Sequence, residues 1–161
     1  TDTLLAHCTG VTQMQTFLPY PSFEDTAKVL DYKRLGKQRV EGYQILNTLG
    51  RRQMGITTGA WVNHPAVIMW TGYELSLIKY CISITDEWIK RGYNDTMLPR
   101  FNEYYSIYKD MGYAEEYPHW LGDDRLHISH QSNLMRKDPS YYHQRFNVPD
   151  DIPYFWPSEN P

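Results

Sequence analysis

Four cationic side chains and one carboxylate lie close together in this chain, at spacings that suit chemistry on a phosphate. They are Lys33, Arg34, Lys37, Arg39 and Glu41. The whole chain has a net charge of −3, so this segment concentrates positive charge on an acidic protein. A local cluster of Lys and Arg is typical of a surface that binds phosphate groups. We therefore predict an anion site here, with phosphate as the expected ligand.

Helical spacing separates these side chains into two sets. At 3.6 residues per turn the four cations cannot share one face, but Lys33, Lys37 and Glu41 form a single row. Such a row favours two phosphate contacts beside a carboxylate that acts as an acid or a base. It is equally typical of a solvated helix face with one Lys–Glu pair at i,i+4, worth about 0.3 kcal/mol. The spacing alone leaves both interpretations open.

Three of the six histidines lie where an imidazole could act on a substrate. His127 and His130 are at i and i+3 of a predicted helix, and His64 precedes another predicted helix. Imidazole changes charge near neutral pH, so these side chains are candidates for acid–base groups or for donors to a phosphate. Buried structural histidines are the alternative. The nearby Asp123 and Asp124 do not complete a common metal-ligand spacing, so we predict no metal site.

A second cluster of cations and rings closes the last long predicted helix. It contains Arg136, Lys137, Tyr141 and Tyr142. Cations beside aromatic rings can hold a backbone phosphate and stack on a base, which makes these residues DNA-binding candidates. Cations that complement the helix dipole, and rings that pack into the core, are the alternative.

The composition limits the kinds of protein that this chain can be. Its 161 residues fit one domain, and 15% of them are aromatic, which suits core packing or base stacking. With a sequence pI near 6.0, contact with double-stranded DNA should be a local, salt-sensitive patch that neutralises few phosphates. The sequence shows neither a signal peptide nor an apolar run long enough for a bilayer. We therefore expect an intracellular protein, cellular or viral, without a membrane partner.

Hydrophobic periodicity and capping residues predict an all-α fold, a compact single-domain bundle of about five helices with extended terminal segments. The predicted helices span residues 23–30, 33–49, 65–92, 95–110 and 123–137, with a short helical turn at 139–145. Ser22 is the predicted N-cap of the first helix. Cys81 lies on an apolar helical stripe and is predicted to be a small core residue. Residues 147–161 hold four prolines and are predicted to pack in an extended form.

Four segments, taken together and in order, resemble one known family. They are residues 14–41, 63–70, 86–94 and 125–139, and they include Met-Gln-Thr-Phe-Leu-Pro and Asn-His-Pro-Ala-Val-Ile-Met-Trp. The chain resembles the pyrimidine-dimer DNA glycosylases of the phage endonuclease V type, and most closely their bacterial relatives. The resemblance implies a helical domain over residues 14–161, preceded by an N-terminal extension at residues 1–13.

The resemblance also implies an activity on DNA. Such enzymes kink DNA at a cyclobutane dimer, extrude a base and attack the sugar C1′ with an N-terminal α-amine, which leads through a Schiff base to strand cleavage. A carboxylate beside the amine is essential, cations hold phosphates, and no metal or cofactor is needed. The resemblance makes Thr1 a candidate nucleophile. In a chain that begins at Met14, that residue would keep the amine.

The sequence departs from the family pattern at the catalytic carboxylate. Alignment on Tyr32 places Arg34 where the family has a glutamate, and Glu41, about two turns later, is the nearest carboxylate on that helix. Three hypotheses follow. The first is a DNA-repair glycosylase and abasic-site lyase that acts on damaged or modified pyrimidines. The second is a catalytically altered member that binds nucleic acid, or binds a protein through residues 1–13. The third is an enzyme that uses its histidines on a nucleotide-like substrate.

Overall fold

A computed structural model of the chain describes residues 14–56 and 58–157, and within them it contains seven helices and no strand. The helices are α1 (Phe23–Val29), α2 (Tyr32–Gln53), α3 (Pro65–Ile68), α4 (Glu74–Lys90), α5 (Leu98–Asp110), α6 (Asp124–Lys137) and α7 (Pro139–Tyr142). Five of them have seven residues or more, and the other two are single turns. The predicted all-α class is therefore confirmed. The predicted extension at residues 1–13 lies outside the described residues.

Short polar side chains fix where four of the longer helices, α1, α2, α5 and α6, begin. The Ser22 hydroxyl accepts a hydrogen bond from the Asp25 amide at 3.1 Å, which confirms the predicted cap of α1. Asp31 caps α2, and Asp123 caps α6. The carboxylate of Asp95 accepts hydrogen bonds from the amides of Met97 and Leu98. The helix α5 therefore begins at Leu98, three residues later than predicted.

Two further predictions about the helices are wrong. The predicted helix over residues 65–92 is two helices, because Gly72 adopts φ +86° and turns the chain between α3 and α4. The predicted end of α2 at Gly50 is also too early. Its last turn continues to Gln53, where the guanidinium of Arg52 donates to the Val62 carbonyl at 2.7 Å. These tertiary bonds outweigh the cost of about 1 kcal/mol for a glycine inside a helix.

The central packing contact joins α2 to α4. A Cβ added to Gly42 would meet the Cys81 Sγ at 2.4 Å, and one added to Gly36 would meet the Trp88 ring at 2.7 Å. These two glycines let α2 approach α4 closely, and Cys81 is fully buried, as predicted. The opposite side of α2 is thereby left for Lys33, Lys37 and Glu41.

Two segments without regular structure cover α6. Residues 14–19 run between α2 and α6, and residues 147–157 pack along α6 in an extended form, as predicted. The tail is held by the hydroxyls of Ser132 and Ser129, which accept from the amides of Ile152 at 3.0 Å and Phe155 at 3.1 Å. Among the helices of the described residues, none is both long and apolar enough to cross a membrane.

Candidate active site

A cavity of about 270 Å³ opens between α2, the end of α6 and the segment that contains Phe17. It is lined by Phe17, Lys33, Arg34, Lys37, Gln38, Glu41 and Lys137. We call it the Glu41 cavity. The structure therefore brings five of the side chains selected from the sequence to one place, although they come from two helices far apart in the chain.

Glu41 is the buried acid of this cavity, with 7% of its surface exposed. Its Oε2 accepts hydrogen bonds from Gln38 Nε2 at 3.0 Å and from the Gln15 amide at 3.3 Å. Lys37 Nζ lies 3.5 Å from the other oxygen. Burial raises the pKa of Glu41, and Lys37 and the two hydrogen bonds offset part of that effect. A carboxyl group with a raised pKa is suited to give and take protons near neutral pH.

Gln38 holds Glu41 in place through a buried network. Its Oε1 accepts from the Phe17 amide at 2.9 Å and lies 2.9 Å from the Tyr80 hydroxyl. Since the Phe17 amide can only donate, the oxygen of Gln38 faces Phe17 and its amide nitrogen faces Glu41. The Tyr80 hydroxyl also lies 2.7 Å from the Phe17 carbonyl, which ties residues 14–19 to α4. Sequence reasoning missed Gln38 and Gln15; for Gln38, its position three residues before Glu41 on one helix was the available signal.

The cations of the cavity differ in how firmly they are held. Arg34 Nη1 is paired with Asp31 Oδ2 at 3.2 Å, next to the start of α2. Lys37 is paired with Glu41 but leaves 60% of its side chain exposed. Lys33 and Lys137 reach solvent, although the ammonium of Lys137 is partly buried, and neither forms a hydrogen bond or ion pair with other described residues. The cavity therefore presents several cationic groups that an incoming phosphate can contact.

The ammonium of Lys137 stands out among these groups. Partial burial lowers its pKa, and the nearby Arg34, Lys37 and Arg136 lower it further. Glu41 acts in the opposite direction with a smaller effect. The neutral amine is therefore more accessible at Lys137 than at an ordinary lysine.

Arg39 lies outside the Glu41 cavity. Its guanidinium is paired with the buried carboxylate of Asp95 and stacks over the Trp88 ring at 4.5 Å from the centroid. Helical spacing placed Arg39 off the row of Lys33 and Lys37, and the structure uses it to fasten α2 to the start of α5. The contact of Arg39 with DNA stays a prediction.

The remaining residues of the C-terminal cluster also lie outside the lining. Arg136 donates to the carbonyls of Asp150 at 2.6 Å and Ile152 at 2.9 Å, so it holds the tail. Tyr142 is fully buried; its hydroxyl accepts from the Asp31 amide at 2.9 Å and donates to the Asp31 carboxylate. Tyr141 is half-buried beneath the guanidinium of Arg145, at 3.6 Å. Tyr142 therefore positions the start of α2, and with it the cavity.

The histidines of α6 bind backbone rather than the cavity. His130 Nδ1 accepts from the Leu18 amide at 2.8 Å, and His127 Nδ1 lies 2.7 Å from the Leu18 carbonyl. His127 Nε2 accepts from the Gly122 amide at 2.8 Å, so its proton resides on Nδ1 and is donated to Leu18. Burial lowers the pKa of both rings, and that of His130 to about 3. Two neutral imidazoles thus fix the segment that carries Phe17.

His64 belongs to a second, aromatic cavity of about 520 Å³. This cavity is lined by Gly59, Trp61, Asn63, His64, Pro65, Tyr154 and Trp156. His64 also caps α3, because its Nδ1 accepts from the Ala66 amide at 3.0 Å. The Tyr154 ring packs on Trp156 at 5.6 Å and on Phe17 at 6.5 Å, between centroids. The aromatic cavity is therefore next to the Glu41 cavity, with Tyr154 and Phe17 between them.

Comparison with known families identifies one match. The family model described as pyrimidine dimer DNA glycosylase matches residues 14–100, more than half of the chain. The matched part contains the first four helices, the first residues of α5 and every lining residue of the Glu41 cavity except Lys137. Neither the curated proteins nor the solved structures include a match.

Proposed function

The chain belongs to the pyrimidine dimer DNA glycosylase family, and from that premise we propose that it is a DNA-repair glycosylase and abasic-site lyase. The proposed substrate is a damaged or modified pyrimidine in double-stranded DNA, and the proposed intermediate is an amine Schiff base. The observation that carries this proposal is the Glu41 cavity, where a buried carboxyl group with a raised pKa lies among cations. Such pairings of acid and cations are typical of sites that act on a charged backbone.

The cations supply the contact with the DNA backbone. Lys33, Arg34, Lys37 and Lys137 surround the cavity, whereas the protein as a whole is acidic. A patch of this size neutralises only a few phosphates, so affinity should fall with salt along a shallow slope. The cations would hold the phosphates on either side of the target nucleotide, with its sugar above Glu41.

Glu41 takes the acid–base role in this proposal. Its protonated form can give a proton to the departing base, and the resulting carboxylate can then accept a proton from the sugar. Arg34, which aligns with the family glutamate, cannot do this because a guanidinium stays protonated. Both side chains line the same cavity, so Glu41 can act where that glutamate is missing.

For the Schiff base to form, an amine must reach the sugar C1′ beside the Glu41 carboxylate. The Gln15 amide lies 3.3 Å from Glu41, so the chain that precedes it leaves from the wall of the cavity. An α-amine on that segment, such as that of Thr1 or of Met14 in a chain that begins there, is one source. Residues 1–13 lie outside the described residues. A lysine of the cavity is the other source, and both give the same kind of intermediate.

Strand cleavage of a defined duplex tests the proposal. One duplex should carry a single cyclobutane thymine dimer, a second an abasic site, and a third no lesion. We expect the purified protein to cut the first two in the presence of a metal chelator and to leave the third intact. Absence of cleavage on both damaged duplexes, together with binding that does not respond to salt, would overturn it.

A second candidate function has one observation in its favour. Since Arg34 stands where the family has a glutamate, a member that binds damaged DNA without cutting it is the alternative. Salt-dependent binding of the damaged duplexes without cleavage would support that function instead.

A further inference from the structure

We propose that Lys137 is the amine that forms the Schiff base, an inference that rests on the proposed function. Lys137 is the last residue of α6, and its side chain lines the Glu41 cavity opposite α2. It forms no hydrogen bond or ion pair with other described residues. It therefore combines access to solvent with a place beside the buried acid.

The other described cations of the cavity are less suited to this role. Lys37 is paired with Glu41, and Arg34 has no neutral state to attack with. Lys33 lies about two turns of α2 before Glu41. Lys137 is unpaired among the described residues, and partial burial and the neighbouring cations favour its neutral form.

The charges around Lys137 work in the required direction. Burial disfavours the positive charge most. Arg34 and Lys37 on α2, and Arg136 on α6, disfavour it further, whereas Glu41 on α2 favours it. The end of the α6 dipole also favours the ammonium, yet the net effect on the pKa is a decrease. A lysine used only to hold phosphate gains nothing from this decrease. A nucleophile does, because a larger fraction of it is unprotonated at neutral pH.

The chemistry balances with Glu41 as the starting acid. The Lys137 amine forms a bond to C1′, the glycosidic bond breaks, and its electron pair leaves on the base nitrogen, which takes the Glu41 proton. The new secondary ammonium returns a proton to the Glu41 carboxylate. Its nitrogen lone pair then expels O4′, which takes that proton, and a protonated imine remains beside the Glu41 carboxylate.

Elimination and release complete the cycle. The Glu41 carboxylate removes a proton from C2′, and the C3′–O3′ bond breaks, so the 3′ phosphate group leaves with the electron pair. Water then hydrolyses the imine, which restores the Lys137 amine and frees the unsaturated sugar aldehyde. On an abasic site the same imine forms from the C1′ aldehyde with loss of water.

Borohydride reduction of the intermediate, followed by mass spectrometry of the tryptic peptides, locates the amine. The first tryptic peptide spans residues 1–28, so an adduct on an N-terminal amine is separated from one on Lys137. We expect the adduct on a peptide that contains Lys137. An adduct on the 1–28 peptide would overturn the inference and leave the proposed function intact. Absence of any adduct on abasic DNA would instead overturn the Schiff-base function itself.

Two variants separate a nucleophile from a phosphate contact. Lys137→Arg keeps the positive charge but has no neutral amine, so trapping should fall at least 100-fold. Its affinity for a duplex with a reduced, uncleavable abasic site should stay within about threefold. Lys90→Arg, at an exposed lysine outside the Glu41 cavity, is the matched control and should trap normally. Trapping by Lys137→Arg at the wild-type level would overturn the inference.

Chemical rescue distinguishes the loss of the amine from a folding defect. In a Cys8→Ser background, Lys137→Cys treated with 2-bromoethylamine carries a side chain that closely mimics lysine. Cys81 is fully buried and its pKa is raised, so it should not react. We expect the treatment to restore trapping at least tenfold. A treated protein that shows the wild-type thermal transition but no recovery would contradict the role of Lys137.

Discussion

Glu41 and Glu74 are both buried glutamates on long helices, and each is held by a glutamine side chain. Gln38 Nε2 donates to Glu41 at 3.0 Å, and Gln53 Nε2 donates to Glu74 at 2.6 Å. Burial raises the pKa of both carboxyl groups. By burial and hydrogen bonding alone the two acids would be judged alike.

Their surroundings separate them. Glu41 lies among cations in a cavity, whereas Glu74 faces Tyr108 and Tyr113, whose pKa values are raised by burial and further by the charge of Glu74. Gln53, which also accepts from the Tyr113 hydroxyl at 2.5 Å, ties the end of α2 to the start of α4. A raised pKa therefore does not identify a catalytic acid by itself. The cations and the opening above Glu41 make the difference, and Glu74 provides an internal control.

The largest expected effect separates the two acids by activity. Glu41→Gln removes the proton donor and should lower the single-turnover cleavage rate of a dimer-containing duplex by about 10²–10⁴-fold. Glu74→Gln keeps the packing and should change that rate less than about threefold. Rapid-quench kinetics on both variants measure the difference. Equal losses in the two variants would show that burial, and not the cavity, accounts for the effect.

Loss of the glutamine partner should have the next largest effect. Gln38→Leu removes a donor to the charged form of Glu41, so the pKa of Glu41 should rise, and the loss of the bond that positions Glu41 should lower the rate about tenfold. Because Glu41 acts first as an acid, the limb of the pH–rate profile on which activity falls with rising pH should move to higher pH. Gln53→Leu, the matching change at Glu74, should leave that limb in place. A profile unchanged in Gln38→Leu would contradict the assignment of this limb to Glu41.

Removal of single cations should have a smaller and graded effect. Lys33→Ala or Lys37→Ala should each reduce the slope of log affinity against log salt by about one, since each removes one phosphate contact. Lys90→Ala is the control, because Lys90 is exposed on α4 outside the Glu41 cavity. Fluorescence anisotropy of a labelled duplex at several salt concentrations measures these slopes. A slope that responds equally to Lys90→Ala would place the DNA elsewhere.

The smallest effect concerns stability and should be common to both acids. Because the folded-state pKa of each group is raised above 4.5, its favourable contribution is present below that pH and is lost as the pH rises through the folded pKa. The wild type should therefore lose more stability between pH 4.5 and 7 than Glu41→Gln or Glu74→Gln. Urea unfolding across this range measures it. If the free energy of unfolding of the wild type falls with pH no more steeply than that of either variant, the raised pKa values are contradicted.

The sequence alone could predict the part of the site that lies on a single helix, α2. Helical spacing joins Lys33, Lys37 and Glu41, because residues four apart on α2 necessarily share a face. The contribution of Lys137 depends on how α6 packs near α2, which no local pattern encodes. The hydrogen bonds of His127 and His130 to Leu18 likewise join residues more than 100 positions apart, so their backbone-binding role was hidden.

In the fold, too, the sequence could predict the features that depend on local bonds but not those that depend on tertiary packing. Capping residues such as Ser22 and Asp123 marked helix starts, since their bonds are local. The break at Gly72 was hidden because apolar residues continue on both sides of it, and Trp70 and Tyr73 are both buried. The close approach of α2 and α4 at Gly42 became evident only in three dimensions.

Borohydride trapping on an abasic duplex, with wild type, Glu41→Gln and Glu74→Gln side by side, tests the central claim most directly. We predict covalent adducts of similar yield with wild type and Glu74→Gln, and at least a 100-fold lower rate of adduct formation with Glu41→Gln. An undiminished rate with Glu41→Gln, in a protein that folds normally, would contradict the claim that the Glu41 cavity is the active site.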